Sequence, residues 1–293
     1  MRRAKTFRRP KSADPTRPQI SAFSCVILVF LSAYMALLSG LLLWAIVISF
    51  REYGPEAGFF ANVADSFRNF VIQTAKGPVG FGEMLRNSLL YALGCAFFNT
   101  LVVSFTAYAA ARYKCWFSKL VYLTVIVTMI VPSVGSLPAE VSTAIRLRLY
   151  DSIWGQWIMK ANFLGLYFLL FYDFFASLPK DYFEASEIDG AGDLTQMFRL
   201  AFPLASNLIL TVFLLNFVTY WNDYASPTIY LKSYPTLAVG LYSTFNYGLV
   251  YYKLNGASAV VPIAFAIASP VIAIYAVFHK KLMSNLFLGG IKE

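Results

Sequence analysis

Six long apolar runs constrain this chain more than any other feature of its sequence. A helix needs about 20 mainly apolar residues to cross the hydrocarbon of a bilayer. We predict six membrane spans, at about 22–50, 87–111, 120–137, 161–178, 205–231 and 258–278. Only 13% of the residues are charged and 58% are hydrophobic, whereas soluble domains carry about 25% charged residues. The sequence therefore predicts an all-α fold, a polytopic transmembrane helical bundle.

The basic residues predict how the bundle is oriented. Lys and Arg are concentrated in the first 21 residues, in the connection 112–119 after the second run, and after the sixth run. Such residues favour the cytoplasmic side of a membrane. We expect a basic cytoplasmic tail at 1–21, a transmembrane domain at 22–293 with a cytoplasmic loop at 180–203, and both termini in the cytoplasm. The net charge of +9 is assigned to orientation, and no nucleic-acid partner is expected, because no surface element combines basic and aromatic residues.

The residues that usually carry enzyme chemistry are sparse. Cys25, Cys95 and Cys115 have no CxxC or metal-ligand spacing, and His279 is the one histidine. A P-loop would read GxxxxGK followed by Ser or Thr, but the Gly-rich stretch 76–82 lacks that ending and is interpreted as a flexible outer turn. We expect no catalytic residue, no metal and no cofactor in this chain.

One polar segment, at 180–203, interrupts the apolar pattern between the fourth and fifth runs. Pro179 suits a helix start, and Asp181 and Glu184 suit the positive end of the helix dipole. The pair Asp189 and Gly190 ends that helix, because Gly tolerates positive φ. A second helix then carries apolar residues at helical spacing: Leu194, Met197, Phe198 and Ala201. A hairpin this small needs a surface to pack on, and the residues alone leave open whether that surface is the membrane, its own spans or a partner.

The same segment resembles the EAA loop of the membrane-spanning permease subunits of bacterial ABC importers. That motif reads Glu-Ala-Ala, three residues, Gly, nine residues, then Ile-x-Leu-Pro. Here Glu184-Ala185-Ser186, Gly190 and Leu200-Ala201-Phe202-Pro203 stand at the same spacing. The departures are Ser for Ala, Leu for Ile and Phe for Leu. The resemblance implies a type I ABC importer permease fold.

Other segments between 83 and 293 resemble the carbohydrate-importing branch of that family, similar to maltose-type second permease subunits. They are RNSLLYA at 86–92, TAYAAARY at 106–113, MIVPSVGSLP at 129–138, WNDYASPTIYL at 221–231, TLAVGL at 236–241 and LFLGGIKE at 286–293. The resemblance implies a subunit of an ATP-driven sugar importer in a bacterial inner or plasma membrane.

The resemblance also implies partners and coupling residues. We expect a second permease subunit, in a heterodimer, with a homodimer as the alternative. We also expect a dimer of ABC ATPases that uses ATP and Mg, an extracytoplasmic solute-binding protein, and membrane lipid. The loop is expected to dock in a cleft of the ATPase as a coupling helix. Glu184 would meet a basic group, although it also suits a helix start, Gly190 would make the turn, and Met197 and Phe198 would fill the cleft. The coupling set is Glu184, Ala185, Ser186, Asp189, Gly190, Met197, Phe198 and Pro203.

Polar residues inside the apolar runs are candidates for the solute path, because such residues are costly in lipid. The set is Asn99, Asn216, Trp221, Asn222, Asp223 and Tyr224. The residues at 221–224 also suit an aromatic belt at the membrane interface. Alternatives for the cargo are a polyol, a glycerol phosphate or a sugar acid. The alternatives of other classes are an ion-coupled secondary transporter and a membrane-embedded enzyme. The first would need internal repeats and several buried charges, of which we find no clear repeat and few charges. The second would need a catalytic constellation, which the sequence does not show.

Overall fold

The computed structural model describes residues 22–51, 59–131, 135–247 and 256–286, so the predicted tail 1–21 and residues 287–293 lie outside the described ranges. The helices are α1 (Ala22–Arg51), α2 (Phe59–Asn69), α3 (Phe81–Arg112), α4 (Trp116–Ile130), α5 (Leu137–Arg146), α6 (Ile153–Lys160), α7 (Leu166–Ser177), α8 (Lys180–Ile188), α9 (Asp193–Gln196), α10 (Phe202–Leu204), α11 (Ser206–Trp221), α12 (Ala225–Tyr230), α13 (Leu237–Tyr247) and α14 (Gly256–Leu286). A π-helical turn, Met197–Ala201, joins α9 to α10.

A short β-hairpin precedes α3. Strands β1 (Val71–Thr74) and β2 (Gly77–Gly80) pair antiparallel, with Val71 opposite Gly80. Gly77 turns the chain at φ 123°, and the Thr74 hydroxyl donates to its carbonyl at 2.8 Å. The turn expected within 76–82 is present at Gly77, where the β-hairpin reverses, and the rest of the stretch forms β2 and the start of α3. The hairpin is also a small exception to the all-α prediction.

Helix α3 is the centre of the bundle, and α6, α7 and α11 all pack against it. Its alanines bring these neighbours close, as small residues do in membrane helices. Two hydrophobic clusters lie along it. The core next to the β-hairpin contains Phe70, Met84, Ala92, Ala96, Phe217, Trp221 and Ile263. The core next to the segment 180–203, which we call the loop-side core, contains Ala107, Tyr108, Phe168, Phe171, Phe183, Met197 and Ala201.

The predicted number of six spans is not confirmed. Among the described residues, three helices are long and apolar enough to cross a membrane, at Phe23–Trp44, Phe81–Arg112 and Val260–His279. A pair bent by 74°, Asp193–Leu204 with Ser206–Trp221, makes a fourth if it is one span. The helices in the predicted third and fourth runs, α4 and α7, have 15 and 12 residues. At about 1.5 Å per residue both are shorter than the roughly 30 Å hydrocarbon layer.

Two helix breaks explain why the apolar runs and the helices differ. The predicted run 161–178 starts inside a break between α6 and α7, where Gly165 has φ 124°. The predicted run 205–231 is interrupted between α11 and α12. Hydropathy averaged over the length of a span does not show either break, because apolar and aromatic residues outnumber Asn162 at the first break and Asn222 and Asp223 at the second.

Candidate functional site

The segment 180–203 folds as the predicted helical hairpin. Pro179 is the N-cap of α8, and Asp181 lies in its first turn. Gly190 has φ 80°, its N–H donates to the Glu187 carbonyl, and the Ala191 N–H donates to the Ser186 carbonyl at 2.9 Å. These two bonds form the glycine-ended helix terminus known as a Schellman motif. The turn predicted at Gly190 is confirmed, with a conformation that L side chains rarely adopt.

One face of this hairpin is buried on the bundle. Phe183 of α8 and Met197 and Ala201 of the π-helical turn belong to the loop-side core. Met197 is 5% exposed, so it does not lie on the outer surface, where an ATPase would dock. The expectation that Met197 fills a cleft of the ATPase therefore does not fit this placement.

The opposite face carries exposed apolar side chains. Ile188 is 88% exposed and Leu194 70%, on either side of the turn at Gly190. Phe198 is about half exposed, while Glu184, Ala185, Asp189 and Pro203 are also on the surface. A groove of about 460 Å³ runs beside them, lined by Ser186, Asp189, Gly190, Ala191, Thr195, Gln196, Arg199 and Leu200. Exposed apolar residues grouped around a groove with polar edges are typical of a protein–protein contact.

Charged side chains tie the hairpin to the end of α3. Arg112 Nη2 donates to Glu187 Oε1 at 2.8 Å, and its guanidinium lies 4.5 Å from the centre of the Phe183 ring. Burial, and after it a hydrogen bond with Asp193, raises the pKa of Tyr113. Helix α8 therefore contacts Arg112 at the end of α3, and Asp193 of α9 contacts the next residue, Tyr113.

Two of the predicted path residues, Asn99 and Asn216, meet inside the bundle. Asn216 Nδ2 donates to Asn99 Oδ1 at 2.9 Å and to the Thr100 hydroxyl at 3.1 Å. Asn99 Nδ2 donates to the carbonyl oxygens of Lys160 and Asn162 at 2.9 and 3.2 Å. These carbonyls lie at the break between α6 and α7, where the helical hydrogen bonds stop. Because lipid cannot donate hydrogen bonds to them, the Asn99 amide is the donor they need. Within this chain both asparagines act as buried structural groups.

The residues 221–224 lie at the second break, and each has a different environment. Trp221 is buried and its Nε1 donates to the Ile267 carbonyl at 2.9 Å. Asp223 accepts from the Tyr91 hydroxyl at 2.8 Å and from the Ser226 N–H at 3.0 Å. Asn222 and Tyr224 are exposed, and Tyr224 stacks on Tyr242 with 4.4 Å between ring centres. Asn222, Asp223 and Tyr224 therefore remain candidates for a solute path.

Sequence reasoning missed three polar residues that the fold uses. Arg112 was assigned to orientation, although it also binds Glu187. Tyr91 was hidden in an apolar run and holds Asp223. Lys160 donates to the Ser226 hydroxyl at 2.8 Å and so joins the two helix breaks. Their partners lie 66 to 132 residues away, so no local spacing announces them.

No group of three or more His, Cys, Asp or Glu side chains within the described ranges is placed to hold a metal ion. The arrangement offers a docking surface at one end of the bundle and polar residues in its middle.

Comparison with known proteins gives one family. Residues 102–283 match the sequence profile described as "Binding-protein-dependent transport system inner membrane component". This covers more than half of the chain, including the hairpin and both helix breaks.

Two characterised relatives align over most of the chain. The diacetylchitobiose uptake system permease protein NgcG of Streptomyces coelicolor is 24% identical over 255 residues, which are 85% of this chain and 82% of the relative. The arabinooligosaccharides transport system permease protein AraQ of Bacillus subtilis is 28% identical over 230 residues, 78% and 79% of the two chains.

A solved structure shares the fold. It comes from a bacterial ABC transporter involved in the import of the acidic polysaccharide alginate, and it aligns with a TM-score of 0.69 over 90% of this chain and 99% of that chain. At 19% sequence identity the likeness establishes the type I permease architecture.

Proposed function

The chain belongs to the family of binding-protein-dependent transport system inner membrane components, and we propose that it imports carbohydrate. We further propose that a separate ATPase drives this import by acting on the hairpin 180–203, called the coupling hairpin below. It is a multi-pass permease subunit of an ABC importer, a transport component rather than an enzyme. Membership of this family rules out the ion-coupled and enzymatic alternatives. The cargo, the coupling contact and the orientation are the proposals developed below.

The observation that carries the coupling proposal is the exposed apolar tip of the hairpin. Ile188 and Leu194 are exposed on either side of a turn at Gly190, whose φ of 80° is one that glycine adopts readily and L side chains rarely do. A few well-packed residues near the centre of a protein interface contribute most of its binding energy. Ile188 and Leu194 offer such contacts beside the exposed carboxylates of Glu184 and Asp189. A separate ATPase with an apolar cleft rimmed by basic groups fits this surface.

The supporting side of the hairpin fits force transfer. Phe183, Met197 and Ala201 anchor it in the loop-side core, so an ATPase that moves the tip also moves the bundle. The proposed cycle is rigid-body alternating access, in which closure of an ATPase dimer around ATP and Mg shifts two permease subunits between inward-open and outward-open states. A second permease, in a heterodimer, and an extracytoplasmic binding protein complete the proposed complex.

The proposed cargo is an oligosaccharide. NgcG and AraQ are named for diacetylchitobiose and arabinooligosaccharides, and their likeness to this chain supports the same class of solute. The exposed pair of Tyr224 and Tyr242 is compatible with it, because sugars pack on aromatic rings. Asn222 beside them offers an amide for hydroxyl groups.

The test is uptake by a bacterial strain that lacks this chain, with a restored copy as the control. We expect the strain to lose uptake of labelled diacetylchitobiose or arabinooligosaccharides, and the restored copy to regain it. That uptake should continue under a protonophore while ATP is maintained and stop when ATP is depleted. Loss under the protonophore alone would contradict ATP coupling. Loss of glycerol phosphate uptake with normal oligosaccharide uptake would contradict only the cargo.

A further inference from the structure

The end of α3 contacts α8 of the coupling hairpin through Arg112. Arg112 binds Glu187 of α8, and Gln196 of α9 reaches the same Glu187 carboxylate at 3.4 Å. The guanidinium also covers the Phe183 ring. Arg112 and Glu187 are 28% and 55% exposed, so this is a boundary contact that an ATPase could bias, rather than a sealed core pair.

Beneath these polar contacts, aromatic rings continue the connection. Phe105 of α3 packs edge-on against Phe198 and Phe202, with 5.6 and 5.0 Å between ring centres. Tyr108 meets Phe175 of α7 at 5.4 Å and Phe202 at 6.4 Å. Packed interiors transmit displacement because they have few voids. The hairpin is therefore joined to α3 through side chains along about two helical turns.

The covalent route from the C-terminal end of the hairpin into the bundle is less direct than these side-chain contacts. It leaves through a π-helical turn and then bends by 74° between Leu204 and Ser206 before α11 begins. Such π-turns are among the sites at which helices kink, so this connection is less straight than a continuous helix. By contrast α3 is one unbroken helix of 32 residues, about 48 Å long at 1.5 Å per residue.

Along that length α3 packs against α6, α7, α11 and α13. Near its far end Asn87 Nδ2 donates to the Pro235 carbonyl at 3.2 Å, and the Ser88 hydroxyl accepts from the Leu237 N–H at 2.8 Å. Tyr91 binds Asp223 at the second break. Asn99 binds the carbonyls of the first break. A displacement of α3 thus reaches both breaks and the residues beside the candidate path.

We propose that α3 transmits the movement of the coupling hairpin to the middle of the bundle, with Arg112 as the positioning residue that couples them. The inference rests on the proposed function, because it assumes that an ATPase moves the hairpin. It assigns the transfer to side-chain contacts with α3 rather than to the continuous chain through Ala205 and α11.

The test follows the middle of the bundle while the ATPase turns over. In the purified complex, with native cysteines replaced by alanine, Asn222→Cys is labelled by a water-soluble maleimide with and without ATP and Mg. We expect ATP to change the labelling rate. Arg112→Ala should reduce that change by about fivefold or more, as for ordinary allosteric coupling, while ATP hydrolysis continues. Lys114→Ala, which removes the neighbouring exposed charge, is the matched control and should behave like the parent.

Four further variants, three single and one double, extend the test. Arg112→Lys retains the charge without the planar fork and should give an intermediate change, and it replaces Arg112→Ala if that variant does not fold. Arg112→Glu and Glu187→Arg should each lose the change, and the double exchange should regain part of it. An unaltered ATP response in Arg112→Ala, or equal loss in Lys114→Ala, would overturn the role of α3. No ATP response in the parent protein would instead contradict the proposed function.

Discussion

Replacing Asn99 by leucine, a side chain of similar size, should destabilise the bundle more than any other polar change in its middle. The substitution removes two bonds to the carbonyls of the α6–α7 break and one from Asn216, at 2.9, 3.2 and 2.9 Å. Interhelical hydrogen bonds in membrane proteins contribute about 0.6 kcal/mol on average and at most about 1.7. Because the carbonyls of Lys160 and Asn162 lose this amide donor, we expect a loss of about 2–4 kcal/mol in the free energy of unfolding.

The assay is reversible unfolding in detergent micelles at increasing denaturant, compared with the matched variant Asn222→Leu. Asn222 is exposed and its amide donates to the Val218 carbonyl of its own helix at 2.8 Å, so the loss of unfolding free energy in Asn222→Leu should be below about 0.5 kcal/mol. The double variant Asn99→Leu with Asn216→Leu should cost less than the two single variants together, because the pair is removed as a unit. If Asn99→Leu falls within about 0.5 kcal/mol of the parent, these contacts do not hold the break as described.

Three other predictions concern the coupling hairpin, the start of α6, and the side of the membrane on which Cys115 lies. Gly190→Val should cut ATP-driven uptake at least about fivefold, since a side chain at this φ costs roughly 1–2 kcal/mol, whereas Gly190→Asn should retain most uptake; equal uptake by both would contradict the turn's role. A Cβ on Gly155 would lie 2.1 Å from the Leu149 carbonyl oxygen, whereas Gly82 has open space, so Gly155→Ala should lower the melting temperature and Gly82→Ala should not. Hydrogen bonds from the Ser118 side chain and then its backbone lower the pKa of Cys115, so at neutral pH more of it is thiolate than in an ordinary exposed cysteine. An impermeant maleimide should label Cys115 quickly in inside-out vesicles. At a pH below the pKa of the thiol, the Ser118→Ala variant should be labelled more slowly, because less of Cys115 is then thiolate. Labelling of Cys115 in intact spheroplasts would contradict the predicted orientation.

The coupling hairpin could be read from the sequence because its signals are local. Pro179 begins α8 and Gly190 ends it through backbone preferences that need no distant partner. The second helix was predicted less well. Its four apolar residues share helical spacing, but the structure buries Met197 and Ala201 and exposes Leu194 and Phe198. The π-helical turn widens the helix there and separates the residues into two stripes, which an ideal period of 3.6 does not anticipate.

The middle of the bundle was beyond sequence reasoning for a different reason. Asn99 and Asn216 were correctly singled out as unusual in apolar runs, yet their partners are each other and a pair of backbone carbonyls. Those carbonyls are free to accept only because α6 ends at Lys160, and hydropathy is insensitive to where a helix breaks. The pattern therefore identified the residues and assigned them to a path, whereas the fold uses them for support.

The most direct test of the account is a cross-link between the coupling hairpin and the ATPase. In the assembled complex without other reactive cysteines, a cysteine at Ile188, next to the turn, would be paired with cysteines around the proposed cleft. Gln73→Cys, on the β-hairpin at the opposite end of α3, is the control. We expect a disulfide from position 188 whose yield changes with ATP, and none from position 73. If position 188 forms no cross-link in any nucleotide state, in a complex that still imports its solute, the ATPase does not dock on the coupling hairpin.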